Sequence, residues 1–330
     1  MDMTLDFLAV FLAQLQKPTL AFLLAGMVLA ALGSRLDIPD AVYQFIVTVL
    51  LLKIGIGAGI ALRDAEPGDI LLPALAAIGL GVGIVFLGRI TLGLLPNLRF
   101  GDSVATAGLF GAVSASTLAA GMVMLEEDGL SYEAWVPALY PFMDIAALLT
   151  AIVLAERART KGKGALSLRA IITESLRGAA LSALLLGVAL GLLARPDPVY
   201  ASFYEPLFRG FLSILMLLMG MEAYARLAEL RRVAHVYAVY GLVAPLVHGA
   251  LGFAVGGALH LATGFSPGGV VILAVMAASS SDVSGPPTLR VAIPSANPAI
   301  YIGTSTSLGT PVALLSIPLW MALAEVAFSQ

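Results

Sequence analysis

The sequence predicts an all-α fold, a polytopic membrane protein of ten transmembrane helices arranged as two inverted five-helix repeats, with broken helices in spans four and nine. Three observations lead there. Hydrophobic residues make up 59% of the 330-residue chain and charged residues only 12%, at a mean hydropathy of +0.97; a soluble domain carries about 25% charged residues. Apolar runs long enough to cross hydrocarbon recur along the whole length. The second half of the chain repeats the order of the first.

A spanning helix needs about 20 apolar residues. Runs between charged or Pro/Gly punctuation place such helices at 19–35, 41–62, 70–95, 103–125 and 134–155, then at 176–194, 206–225, 234–261, 268–291 and 298–326. The opening stretch 1–16 has no basic leader and no small-x-small cleavage site, which predicts a short interfacial helix rather than a removable signal. Between spans five and six lies the longest polar segment, with Arg157, Arg159, Lys161, Lys163, Arg169 and Arg177. Arg226, Arg231 and Arg232 follow span seven, and Arg35, Arg89, Arg99 and Arg290 fall near other ends of the same face. Basic loops stay inside, so this face is expected to be cytoplasmic and both termini periplasmic. The expected division is 1–156 for the first repeat, 157–175 for a basic cytoplasmic linker and 176–330 for the second repeat.

Composition also excludes classes. A formal charge of −3 argues against a nucleic-acid binder, which shows a basic face. The absence of cysteine removes disulfides, thiolate metal sites and cysteine nucleophiles. His235, His248 and His260 lack metal-site spacing, and Trp135 and Trp320 read as interfacial belt residues.

The duplication pairs 21–36 with 180–195, 53–66 with 218–230, 111–121 with 277–289 and 144–155 with 310–320. Five is odd, so the second copy enters from the opposite face. Inverted repeats are a transporter device that puts a site near the midplane on discontinuous helices. Span four reads GLFGAVSASTLAAG, with Ser114, Ser116 and Thr117 near its middle; span nine reads SSSDVSGPPTL, with Ser281, Asp282, Ser284, Gly285 and two prolines. Adjacent prolines remove donors and clash with preceding carbonyls, so a new half-helix is expected to start there, with Ser284 as its N-cap. Two facing half-helix N-termini, each worth roughly half a positive charge, suit a small monoanion held by Gly111, Ala112, Val113, Ser114, Ser116, Thr117, Ser284 and Gly285. Hydroxyls, carbonyls and carboxylates suit a hard cation, with Ser114, Ser116, Asp144, Ser281, Asp282, Thr304 and Thr310 as its expected oxygen ligands. A carboxylate at membrane depth is expensive and marks a site by default. Lys53 and Glu222 are expected to be structural. From the residues alone, Na⁺-coupled carriage of some small anion, Na⁺/H⁺ exchange, a channel, and a docking platform for a cytoplasmic protein all stay open; no cofactor is expected.

On the stretches 14–34, 108–121, 132–145, 206–223 and 279–313, the chain resembles the cyanobacterial sodium-dependent bicarbonate transporter family. The resemblance implies a Na⁺/bicarbonate symporter of the cytoplasmic membrane serving carbon concentration. It implies a homotrimer whose core (spans three to five and eight to ten) moves against a gate (spans one, two, six and seven). It also implies a PII-like adenylate-sensing regulator on the cytoplasmic face, for which Arg157, Arg159, Arg226, Arg231 and Arg232 are the candidate surface. The linker is shorter here than in some relatives.

Overall fold

The computed structural model describes residues 16–95, 98–159, 168–230 and 235–328, and every regular element among them is helical. The first half contains α1 (Pro18–Ala31), α2 (Asp40–Ala61), α3 (Pro67–Gly93), α4 (Phe100–Gly111), α5 (Ala115–Glu127) and α6 (Tyr140–Arg159), the last entered through a 3₁₀ turn, Val136–Leu139. The second contains α7 (Leu168–Arg177), α8 (Ala179–Leu193), α9 (Glu205–Leu230), α10 (His235–Thr263), α11 (Pro267–Ala278), α12 (Gly285–Ala292), α13 (Pro298–Thr304) and α14 (Thr310–Phe328). A π-helical turn, Tyr200–Tyr204, leads into α9, and another, Ser305–Gly309, joins α13 to α14.

Among the described residues, seven helical stretches are long and apolar enough to cross a membrane. Pro18–Ala31, Ala179–Leu193 and Pro267–Ala278 are shorter apolar helices, at the places expected for spans one, six and nine. The expected interfacial helix 1–16 lies, apart from its last residue, outside the described residues. The linker 157–175 is not a simple loop: α6 runs on to Arg159 and α7 is already helical from Leu168. The uncharged run of span six therefore begins only after Gly178, as α8.

Glycines set the closest helix contacts. α2 and α8 cross through Gly55 and Gly59 facing Gly187 and Gly191, a small-xxx-small pair on both helices. A Cβ on Gly55 or Gly59 would sit 2.3 Å from the Leu184 or Val188 carbonyl oxygen. α1 and α9 approach equally closely at Gly26 and Gly220, where backbone lies against backbone. The larger hydrophobic core joins α1, α2, α5, α9 and α11; a smaller one packs α4, α6 and α12 around Val104, Leu148 and Leu289.

The stretch Phe100–Glu127 differs from the other long ones, because the whole of its apolar window is buried inside the protein. In α11 every residue from Gly268 to Ala278 is likewise buried. The two elements with broken helices are thus the two most shielded from lipid. Irregular backbone at membrane depth survives only in such a place.

Gly187→Leu should disrupt the α2–α8 crossing, since overpacking by even a few methylenes costs about 1–3 kcal/mol, and here the new side chain meets backbone. Gly83→Ala, with open space around its Cβ, should be silent. Thermal stability of the two detergent-purified variants, read by size-exclusion chromatography after heating, distinguishes them.

Candidate functional site

Helix α4 stops at Gly111 because Ala112 turns extended (φ −86°, ψ 157°), and Ser114, also extended, starts α5. The Ser114 hydroxyl accepts the Thr117 amide at 3.2 Å, the bond expected of an N-cap. Helix α11 ends the same way at Ser279 (φ −71°, ψ 167°), and α12 restarts at Gly285. Each break frees amides and carbonyls that hydrocarbon cannot satisfy.

The two breaks satisfy each other. The Ser114 amide donates to Ser279 Oγ at 3.0 Å, and the Ser281 amide donates to the Leu109 carbonyl at 2.8 Å. Asp144, buried on α6, accepts the Val113 amide through Oδ1 at 3.1 Å and the Ser284 hydroxyl at 3.2 Å. Ser116 Oγ lies 2.8 Å from Ser114 Oγ and donates to Asp282 Oδ2 at 2.7 Å. Ser280 is bonded to Ser305 Oγ at 2.9 Å and sits 3.4 Å from Thr310 Oγ1. The two helix breaks, α6, the π turn at Ser305 and the start of α14 therefore converge on one buried polar centre.

Several expectations need correcting. Ser284 occupies the N-cap position of α12 but does not cap it. Its hydroxyl is drawn to Asp144, and Ser281 Oγ accepts the Gly285 amide instead, at 2.8 Å. With Pro286 and Pro287 lacking amides, α12 offers its dipole but not the set of free donors expected of a helix start. Thr304 is buried, yet its hydroxyl donates to the Ile300 carbonyl within its own helix. Ser305, one residue on in the same hydroxyl-rich stretch, takes the bridging place because the π turn rotates it toward Ser280 and Ser281. Trp320 is no belt residue: it is buried, donates to Ser316 Oγ and packs where Gly249 leaves room. Trp135 is buried as well, against Phe265.

Asp102 was given no role by the sequence reading, although it is buried and accepts the Asn297 amide at 2.6 Å, tying α4 to the start of α13. An acid in the first turn of a helix was the available signal. Lys53 lies away from the centre, its ammonium 4.1 Å from the Phe208 ring centroid, as a structural reading requires. Glu222 is different: it lines the same cavity as Asp282.

That cavity, of about 370 Å³, reaches the centre from one end of the molecule. Asp37 and Asp40 lie at its mouth near the start of α2, Glu222 stands on α9, and Asp282, Thr306 and Thr310 form its inner wall. Among the described residues, no lysine or arginine lines it. Asp282 Oδ1 is buried without a hydrogen-bond partner among the described residues, and is the one carboxylate oxygen of the centre left open there. At the other end Lys17 pairs with Asp128 and Arg209 with Glu126 at 3.6 Å. A second cavity there, lined by Lys53, Glu126, Tyr132 and Glu205, includes none of the residues of the breaks.

A family model described as the Na⁺-dependent bicarbonate transporter superfamily matches residues 18–325. The chain belongs to the Na⁺-dependent bicarbonate transporter superfamily. It is a multi-pass membrane transporter rather than an enzyme, with Na⁺ as its coupling ion. A comparison with curated proteins finds no match. In this superfamily member, among the described residues, no cluster of His, Cys, Asp or Glu could hold a metal by those side chains alone. A Na⁺ guest would have to use hydroxyl and carbonyl oxygens beside a carboxylate, the set found here. Of the candidate docking surface, Arg157 and Arg159 are exposed at the end of α6, where Arg159 pairs with Glu156. Arg231, Arg232 and the side chain of Arg226 lie outside the described residues.

Ser281→Ala should leave the Gly285 amide unpaired and cost about 1 kcal/mol, lowering the melting temperature of the purified protein by a few degrees. Ser284→Ala keeps the cap but takes a donor from the buried Asp144 carboxylate, so it too should lower the melting temperature. A Ser281→Ala protein as stable as the parent would remove Ser281 from the capping role.

Proposed function

We propose that the chain is a Na⁺-coupled bicarbonate symporter working by alternating access, and that the polar centre between the two breaks is its transport site. The observation that carries this is the open Asp282 Oδ1 at the head of a cavity walled by carboxylates, directly behind two helix starts. Na⁺ takes Asp282 together with Ser114, Ser116 and Thr310; Asp144 and Ser281 hold the two breaks in place around it. The anion docks against the α5 start, at Gly111, Ala112, Val113, Ser114, Ser116 and Thr117, with the α12 start at Ser284 and Gly285 contributing its dipole. Coupling follows from charge. A bare anion is repelled by Asp37, Asp40, Glu222 and Asp282, and a like-charge pair about 4 Å apart costs about 4 kcal/mol at an effective dielectric of 20. Na⁺ bound first cancels that repulsion.

The architecture is read as ten spans in two inverted repeats of five, with a core of spans three to five and eight to ten and a gate of spans one, two, six and seven. Two helix pairings support it: α2 on α8 and α1 on α9 are the contacts that exchange when the repeats are swapped. The three shorter helices complete the count of ten. With the basic face cytoplasmic and the termini periplasmic, the acidic cavity opens inward and the pairs Lys17–Asp128 and Arg209–Glu126 close the outer end. The cytoplasmic membrane, a role in carbon concentration, a homotrimer and a PII-like regulator near Arg157 and Arg159 follow from the family resemblance and belong to the same proposal.

Uptake of labelled bicarbonate into proteoliposomes should require a Na⁺ gradient, and Asp282→Asn should raise the Na⁺ needed for half-maximal uptake at least tenfold. Uptake that is equal with and without Na⁺ ends the symport reading. Because the chain has no native cysteine, Leu36→Cys in the cavity mouth can report the state through labelling by an impermeant maleimide. Exposed ion pairs contribute about 0.2–1 kcal/mol each. Adding Lys17→Gln and Arg209→Gln should therefore slow Leu36→Cys labelling from the cytoplasmic side a few-fold; unchanged labelling removes those pairs as the outer closure.

A further inference from the structure

The cavity at the end away from the acidic one, of about 410 Å³, has no part in the proposed transport path. Lys53 lines it, eight residues before the end of α2, about 12 Å in along the helix. It is only 7% exposed. The Phe208 ring lies 4.1 Å from its ammonium and the Tyr200 ring 5.8 Å. Ring faces attract a cation, and they position the ammonium as a structural role would have it. They give its three N–H groups no acceptor. Among the described residues Lys53 makes no hydrogen bond and no ion pair. A charge at this depth without compensation is costly and marks a site by default.

Two carboxylates line the same cavity, those of Glu126 and Glu205. Glu126 is engaged: it accepts the Tyr132 hydroxyl at 3.3 Å and pairs with Arg209 at 3.6 Å. Glu205, at the start of α9, is exposed, and among the described residues it makes neither a hydrogen bond nor an ion pair. Lys53 and Glu205 thus carry opposite charges on one cavity without meeting. Tyr200 Oη, for which Gly57 leaves room because a Cβ there would lie 2.7 Å from it, also lacks a hydrogen-bond partner among the described residues. Ile54, Met122, Leu130 and Pro137 supply apolar wall. Ligand sites are often of this size, apolar with a few well-placed polar groups.

The class of occupant follows from the charges. A simple monoanion would meet Lys53 but also two carboxylates. A simple amine would leave Lys53 uncompensated. A molecule carrying both a carboxylate and an ammonium answers Lys53 and Glu205 together, and an aliphatic side chain suits the rest of the wall. We propose that this cavity binds a neutral α-amino acid with an aliphatic side chain, its carboxylate accepting from Lys53 Nζ and Tyr200 Oη and its ammonium donating to the Glu205 carboxylate. The site does not rest on the symport reading, and its test reads binding rather than transport.

The intact protein, purified in detergent in buffer free of Na⁺ and bicarbonate, is titrated calorimetrically with leucine. Two analogues that each lack one charge are titrated beside it, 4-methylpentanoate and 3-methylbutylamine. Leucine should saturate at millimolar concentration or below, and each analogue should bind at least tenfold more weakly, having lost a charge-assisted hydrogen bond. Lys53→Met should weaken leucine binding at least tenfold without weakening that of 3-methylbutylamine. Glu205→Gln should do the same to leucine without weakening 4-methylpentanoate; its exposed position keeps the test decisive should Lys53→Met not fold. Absence of saturable leucine binding, an analogue that binds as tightly as leucine, or leucine binding that survives the variants that fold would overturn the proposal.

Discussion

In hydrocarbon a backbone amide or carbonyl has no water to turn to, so every interruption of a helix must be answered by protein. This chain interrupts two helices at the same depth and lets each interruption answer the other. The Ser114 amide goes to Ser279 and the Ser281 amide goes to Leu109. Asp144 and Ser305 close what is left, the first on Val113 and Ser284, the second on Ser280 and Ser281. The full burial of Phe100–Glu127 and of α11 follows from the same need, because lipid contact at either break would leave those groups unpaired.

A centre built this way is bonded within itself. Its hydrogen bonds run among α4, α5, α6, α11, α12 and the π turn before α14, and none of those named above reaches α1, α2, α8 or α9. Those four helices are instead held in two pairs by glycine contacts, α1 with α9 at Gly26 and Gly220 and α2 with α8 at Gly55, Gly59, Gly187 and Gly191. The two sets of helices are bonded differently inside, yet they share the larger hydrophobic core, which joins α1, α2 and α9 to α5 and α11. On the proposed reading, the acidic cavity bears on selectivity as well, since its carboxylates favour an anion only in the company of a cation.

Much of the site was legible because its signals are local. Gly-Pro-Pro cannot continue a helix, a serine-rich stretch in an apolar span asks for a reason, and an aspartate at membrane depth does too. These mark Ser114, Ser116, Asp144, Asp282 and Thr310 without coordinates. What was misread depended on rotation about a helix axis or on competition between neighbours. Ser284 sits where a cap belongs but finds a carboxylate nearer. Thr304 and Ser305 differ by one residue, and only the π turn decides which faces the centre. Trp320 has an interfacial composition and an interior position because Gly249 opens a slot for its indole. Asp102 was passed over because its partner, the Asn297 amide, lies in a distant part of the chain.

The sequence by itself determined a membrane-embedded helical protein, the depth of its two helix breaks and the oxygen-rich chemistry gathered at them, because hydrophobicity and proline geometry act along the chain. Tertiary structure decided which hydroxyl caps, which bridges and which carboxylate oxygen stays open. It also decided where cavities lie, including the one that Asp37, Asp40, Glu222 and Asp282 line. Those outcomes depend on distances of about 3 Å between residues far apart in sequence, and no local pattern encodes them.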